Sequence, residues 1–441
     1  MKKILCISLA TLLLLGSAGC AQKGAPSGSS SSGSSSSGAA SSAASGSSGA
    51  GSLSGKISML SWNNETFATP FLKAFDEKYP GISIDFQYAP PVKDYVEKLS
   101  TMLYSGSAPD IFQMALENRE DLEKGKYAED LSGEPYMKDG TIPDFAKAPY
   151  SQNGKVFALA IDGWVGGLFY NKDMFQKAGI TGEPQTWDEF LTDCKKLKSA
   201  GYSPLMDNLQ DAAVNIVPAL VGAQTISKNK DFTKNVYAGK NTFADGWDEP
   251  LKLWHNLIES GYLTKDMVGV ASDQMLTEFA TQKVAMIPSG PWNISTLQKL
   301  NPKLSYKCMG IPGTEKGNIW YDGAVDVGFC VNAASSDKNK TLAKTFLSFM
   351  ATPEGEKAFF DGYGSTIIAK GYESPTNDIM KDAVAAFKGG KTYIPMGDWT
   401  SYSEALRNTY LTSLQDCLVG KIQPDQVSKN MQNTLKKMSN Q

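Results

Sequence analysis

The stretch 156–175, VFALAIDGWVGGLFYNKDMF, constrains this chain more than any other. An apolar, partly alternating run over 156–161 predicts a strand ending in a polar, glycine-flanked turn at Asp162, Gly163 and Trp164. A second strand over 167–170 follows at once, and a short helix opens at Asn171, Lys172 and Asp173. Elsewhere strands alternate with helices, so two consecutive strands mark a crossing from one α/β lobe to another. Gly163, Gly166 and Gly167 make the backbone pliable at that crossing, where an acid and an indole also sit. Clefts between lobes are where small-molecule sites form.

The segments before the crossing read as strand, helix, strand, helix, strand. Residues 56–61 predict a strand ending at Trp62, Asn63, Asn64 and Glu65. Phe67, Phe71, Phe75 and Tyr79 then fall on one helix face, stopped by Pro80 and Gly81. Alternation over 82–88 gives a strand, 94–104 a helix, and 111–115 a strand ending at Glu117 and Asn118. Such an order implies a parallel sheet with right-handed crossovers, whose ligands lie beyond the carboxyl ends of the strands.

After the crossing, Thr186 and Glu189 form a capping box in which the glutamate reaches back to the N–H of Thr186. Helices are expected over 211–222 and 247–260, and a strand over 283–287 delivers Trp292 and Asn293 to its carboxyl end. A second crossing falls near 320–323, followed by a strand over 325–332. Helices over 339–350 and from Pro353 come next, and 400–418 and 424–438 close the chain.

The N-terminus carries Lys2 and Lys3, an apolar run over 4–15, and small residues before Cys20. That pattern describes a secretory signal peptide over 1–19, with an apolar core too short for a permanent span. Cysteine directly after small residues resembles a bacterial lipobox, although Ser17 stands where leucine is usual. Plain signal cleavage is the alternative. Residues 21–54 are almost all Ser, Gly and Ala, which cannot bury enough surface to fold. Such a tract makes a tether with a span of roughly 30 Å. The expectation is a body lipidated at Cys20 on the outer face of a single-membrane, Gram-positive bacterium, touching the membrane only through its lipid.

Charge and residue counts exclude several functions. The formal charge is −3, and losing Lys2 and Lys3 makes it −3 − 2 = −5. Arg119 and Arg407 are the only arginines and the lysines are scattered, so no concentrated basic face for nucleic acid is expected. Arg119 is expected to pair locally with Glu117 or Glu120. His255 is the only histidine and falls mid-helix between Trp254 and Asn256, so it is not expected to be catalytic: with no other histidine, neither a Ser-His-Asp triad nor a histidine-rich metal site is expected. Cys194, Cys308, Cys330 and Cys417 lack metal spacing and read as buried thiols, with a Cys308–Cys330 disulfide as the minor alternative. No cofactor, metal or catalytic residue is expected. Glycoside hydrolysis needs only two carboxylates, so a lipid-anchored glycosidase stays open, as does a carbohydrate-binding sensor or adhesin.

Together, SAPDIF (107–112), LFYNKDMFQKAGI (168–180), PQTWDEF (184–190), KVAMIPSGPW (283–292), VGFCVNAASSDKN (327–339) and TYIPMGDW (392–399) resemble one family. It is the extracellular solute-binding proteins of carbohydrate ABC transporters, family 1, the group that includes maltose-binding protein. The resemblance implies the two-lobed α/β fold of type II periplasmic binding proteins, each lobe a mostly parallel sheet flanked by helices. It also implies lobes of 55–165 with 328–372 and 166–327 with 373–441, a monomer, a carbohydrate ligand between the lobes, and a membrane permease as partner.

Sugars present apolar C–H faces and rings of hydroxyls, so their sites combine aromatic surfaces with acids and amides. Trp62, Trp164, Trp292, Trp320 and Trp399 lie beside turns or strand ends, next to Asn63, Asp162, Asn293, Asp322 and Asp398. Trp187, Trp247 and Trp254 fall in helical stripes and read as core. The expected ligand residues are Trp62, Asn63, Glu65, Glu117, Asp162, Trp164, Asn208, Trp292, Trp320, Asp322, Tyr363 and Trp399.

Overall fold

The computed structural model describes residues 53–90, 92–116 and 118–440. Cys20, the tether before residue 53, and Glu117 lie outside them. In the first sheet, β1 (Gly55–Ser61) is the centre, with β2 (Ile82–Tyr88) and β3 (Ile111–Met114) parallel on either side. A fourth strand, Gly328–Val331, joins β3 antiparallel from far along the chain. Helix α1 (Glu65–Lys78) starts where the Asn64 side chain accepts from the N–H groups of Thr66 and Phe67. Its Phe71 and Phe75 enter the core against Phe359 and Phe346. Phe67 does not, although it shares their face: in the first turn its ring lies 5.7 Å from that of Tyr363 and stays 39% exposed. Helix α2 spans Val92–Tyr104, returning the chain to the start of β3.

The crossing is built differently from the sequence expectation. Asp162, Gly163 and Trp164 are not a turn; they begin one ten-residue strand, Asp162–Asn171. Before it, the expected strand over 156–161 is reduced to the short pair Ser151–Gln152 with Lys155–Val156 and a bridge from Leu159 to Phe329. The glycines signal close packing rather than a bend. A Cβ on Gly167 would come within 2.7 Å of the Met309 carbonyl oxygen, and one on Gly163 within 2.3 Å of the Phe387 ring.

The first half of this long strand pairs with Asp322–Val325 and Thr366–Ile367, the second half with Met286–Ser289 and Tyr306–Met309. All four pairings are antiparallel, so this second sheet is not mostly parallel around its central strand. Alternation along it serves two cores. Val165 and Phe169 enter one hydrophobic cluster, Leu168 and Tyr170 the other.

Other boundaries shift for local reasons. The capping box forms, with the Glu189 N–H donating to Thr186 at 3.2 Å, but the Glu189 carboxylate takes the N–H of Gln185, one residue before the cap. The helix expected over 211–222 begins only at Ile216, because the Asn215 side chain caps it by accepting from Val217. The strand expected over 325–332 is broken between Val325 and Gly328, and each piece joins a different sheet. Cys194, Cys308, Cys330 and Cys417 are all free and buried, so Cys308 and Cys330 are not bridged. Among the described residues, no helix is long and apolar enough to cross a membrane.

Candidate functional site

The carboxyl ends of β1 and β3 supply one wall. Trp62 follows β1 directly; its ring meets Tyr95 edge-on at 5.0 Å and its backbone N–H donates to Gln113 Oε1 at 3.1 Å. Gln113 is fully buried, and its Nε2 has no protein partner. The Tyr363 ring stacks on Phe359 at 4.1 Å, which aims its hydroxyl toward Asn63, Ser61 and Gln113 without a well-formed hydrogen bond to any of them.

Asp162 opens the long strand beside this group. It is fully buried and both carboxylate oxygens lack a protein partner. Burial, and then the neighbouring Asp326 carboxylate, push its carboxyl well above the ordinary range; the nearby Ser365 hydroxyl offsets this only in part. Two residues on, Trp164 begins the second wall. Its ring meets Trp292 edge-to-face, with centroids 5.7 Å apart and planes at 77°. Trp292 follows the strand Met286–Ser289 and is 49% exposed. The pair lies over Gly166, where a Cβ would come within 2.9 Å of the Ser289 carbonyl and 3.5 Å of the Trp292 ring. Asn293 donates to Ser289 Oγ at 3.0 Å and fixes the turn that carries Trp292.

Of the expected ligand residues, Trp62, Asn63, Asp162, Trp164, Trp292 and Tyr363 therefore gather around the start of the long strand. Glu65 is exposed in the first turn of α1. The others go elsewhere. Asp322 is buried beneath the second wall opposite Gly166, and burial, with Asp211 and Asp207 nearby, pushes its carboxyl up. Asn208 donates to the Val270 carbonyl at 3.0 Å and braces a loop. Trp399 is a core residue, packed against Tyr410, because the segment before it turns its ring inward. Trp320 is nearly buried, bonded to Asn318 at 2.9 Å, and lines a separate cavity of about 830 Å³ together with Arg119 and Asp398.

The local partners expected of Arg119 are Glu117, which lies outside the described residues, and Glu120; its described partners are distant. Its guanidinium is buried and donates to the carbonyls of Pro149 (2.9 Å), Gly397 (3.4 Å) and Trp399 (2.8 Å). It thus ties the end of the first sheet to the C-terminal segment. Sequence reading also missed Ser61, Gln113 and Ser365. Ser61 and Gln113 break the apolar pattern of their strands near the carboxyl end, which was the available signal; Ser365 offered none.

A profile of bacterial extracellular solute-binding proteins matches residues 71–389. The chain belongs to that family. It is 24% identical over 338 residues to the multiple sugar-binding protein of Streptococcus mutans, covering 75% of this chain and 79% of that one. It is 22% identical to the melibiose/raffinose/stachyose-binding protein MelE of Bacillus subtilis, covering 74% and 77%. Among solved structures, a family 1 extracellular solute-binding protein from Bifidobacterium longum subsp. infantis superposes with a TM-score of 0.80 at 29% identity, covering 87% of this chain and 99% of that one. RafE in complex with raffinose gives 0.69 at 21% identity, covering 87% and 100%. The family member shares with these proteins a two-lobed α/β fold.

Proposed function

We propose that the protein captures a sugar or oligosaccharide between two lobes and delivers it to the permease of an ABC importer, with no catalytic step of its own. The observation that carries this reading is the cluster of buried polar atoms without well-formed protein hydrogen bonds, near the half-buried Trp62 and Trp164 and the exposed Trp292: Gln113 Nε2, Tyr363 Oη, Asp162 Oδ1 and Oδ2, and Ser365 Oγ. Buried polar groups are almost always satisfied. A ring of hydroxyls would satisfy several of these at once while its C–H face lies on Trp164 or Trp292. The relatives named for multiple sugars and for melibiose, raffinose and stachyose support the same ligand class.

In this reading the lobes comprise 55–165 with 328–372 and 166–327 with 373–441, and the long strand Asp162–Asn171 is the hinge they share. A sugar touching Trp62 and Trp292 together binds the closed arrangement better than the open one, and that difference in affinity drives closure. The small residues before Cys20 and the Ser/Gly tract after it support an acylated monomer tethered outside the membrane. Mass analysis of the native N-terminal peptide checks the acylation; cleavage within the tract would remove it.

The function is tested by titrating mono- and oligosaccharides while following tryptophan emission, with chromatography of the sugar afterwards. A saturable emission change with intact sugar is expected. Hydrolysis products would make the protein a glycosidase, and no response to any sugar would end the reading.

A further inference from the structure

We infer that Arg119 is a positioning residue that ties the two lobes together in an open arrangement, and so sets the affinity for sugar without touching it. This rests on the lobe-closure reading above and adds to it a specific contact that opposes closure. Arg119 opens the helix Arg119–Lys124, just past the end of β3. In the lobe division given above, Arg119 and Pro149 belong to the first lobe, and Gly397 and Trp399 to the second. Packing agrees: Leu122 of that helix and Tyr150 enter the first hydrophobic cluster, while Met396 and Trp399 enter the second. The guanidinium spans the two. Nη1 donates to Pro149 and Gly397, and Nη2 to Trp399, a use of the planar fork that a lysine could not copy.

The charge is only 6% exposed, and a buried charge is costly to leave unpaired. Turning one lobe against the other draws the carbonyls of Gly397 and Trp399 away from it and leaves Pro149 alone in place. Around the tie the lobes are not close-packed. The cavity of about 830 Å³ lies against Arg119, lined by Pro149 and Ser151 from one lobe and by Trp320, Tyr393 and Asp398 from the other. Where a gap replaces packed side chains, the hydrogen bonds of Arg119 carry more of the hold. The connection at Asp326 and Val327 joins strand pieces of two different sheets, so the lobes can turn there. Trp292 is 49% exposed in this arrangement and packs on Trp164 of its own wall, which therefore stands open to solvent. The tie favours that open state. Its loss raises the fraction of molecules already closed before sugar arrives, and apparent affinity rises with that fraction.

The test places spin labels on Lys98→Cys and Lys195→Cys, exposed positions on α2 and on the helix Trp187–Ser199, and reads their separation by double electron–electron resonance. Cys194, Cys308, Cys330 and Cys417 are buried and leave the label to the introduced thiols. The parent is measured without sugar and with the sugar that the titration above identifies. In Arg119→Met the sugar-free distances should move toward the sugar-bound distances of the parent, and Kd should fall at least fivefold. Arg119→Lys keeps the charge but not the fork, so both should shift the same way by less; this variant decides if Arg119→Met does not fold. Arg407→Met, on the helix Ser403–Leu418 of the second lobe, is the control and should change neither. Weaker binding, or a lower melting temperature with distances and Kd unchanged, overturns the tie. So does a parent whose distances ignore a bound sugar. If no sugar binds at all, the sugar reading has failed by itself, and unshifted sugar-free distances in Arg119→Met would still be needed to overturn the tie.

Discussion

The wall at the end of the first sheet and the wall on the second half of the molecule solve the same task with opposite materials. On the first, one indole is held edge-on by Tyr95, and polar groups from β1, β3 and the helix Pro353–Tyr363 crowd beside it. On the second, two indoles hold each other over Gly166, and the polar groups beneath them, Asp322 and Asp207, are sealed from the surface. The first wall is therefore suited to reading hydroxyls and the second to covering a ring face. Its acids, Asp322 and Asp207, are as fully buried as Asp162 on the first wall.

The largest expected effect separates wall from core. Trp399→Ala should cost about 3–5 kcal/mol of stability, as deletion of a fully buried aromatic does, with little change in sugar affinity among the molecules that fold. Trp292→Ala, on an exposed ring, should leave the melting temperature nearly unchanged. Its cost of about 2 kcal/mol should fall on affinity, about thirtyfold in Kd. Calorimetry of sugar binding alongside thermal unfolding measures both. Should Trp399→Ala fold well and bind thirtyfold more weakly, the division between wall and core drawn here would be wrong.

The sealed acids give the next effect, one that depends on pH. Burial, with Asp211 adding to it, pushes Asp207 up to about 7, and N–H groups of Leu209 and Ile216 offset this only partly. The unfolded chain releases that proton near the ordinary carboxylate range, so between about pH 4 and 7 the folded state holds a proton that the unfolded state has lost. Stability must then fall as pH rises through that window. Glu356, pushed up to about 7, and Asp398, to about 6, act with the same sign. Asp207→Asn keeps the volume and removes the titration. Relative to the parent, it should gain on the order of 3 kcal/mol between pH 4.5 and pH 8 in chemical denaturation. Parallel curves for the two proteins would return Asp207 to ordinary ionisation.

What could be read from sequence follows the same division. The first sheet was legible because β1, α1 and β2 carry clear periods of two and four, and Thr186 and Asn64 signal helix starts through local chemistry. The long strand was misread because glycine has two meanings in one dimension. Gly163 and Gly167 bend nothing; they let neighbouring backbone and ring approach, and those neighbours are Phe387 and Met309. Trp399 and Trp292 look alike in sequence, each near an aspartate or asparagine, and only the direction of the preceding segment buries one and exposes the other. Arg119 finds carbonyls 30, 278 and 280 residues away, a partnership no local pattern encodes. Gln113 and Ser365 matter only through what faces them across the fold.

The smallest effect tests the first wall most directly. Tyr363 keeps its ring stacked on Phe359 whether or not it carries a hydroxyl, so Tyr363→Phe changes one polar atom and almost no volume. If that hydroxyl is reserved for a sugar, its loss should weaken binding by about 1 kcal/mol, roughly fivefold in Kd. Stability should hold or rise slightly, because an unsatisfied buried group has been removed. If instead the hydroxyl serves the protein, through Asn63, Ser61 or Gln113, the variant should lose about 1 kcal/mol of stability and bind as before. Asn63→Ala then sharpens the comparison: with Tyr363→Phe it forms a double-mutant cycle in which affinity is the readout. Two groups that bond separate hydroxyls of one ligand should give nearly additive losses. Two that bond only each other should give no loss beyond the first, and the polar wall would then be part of the scaffold, with the second wall's indoles left to hold the sugar.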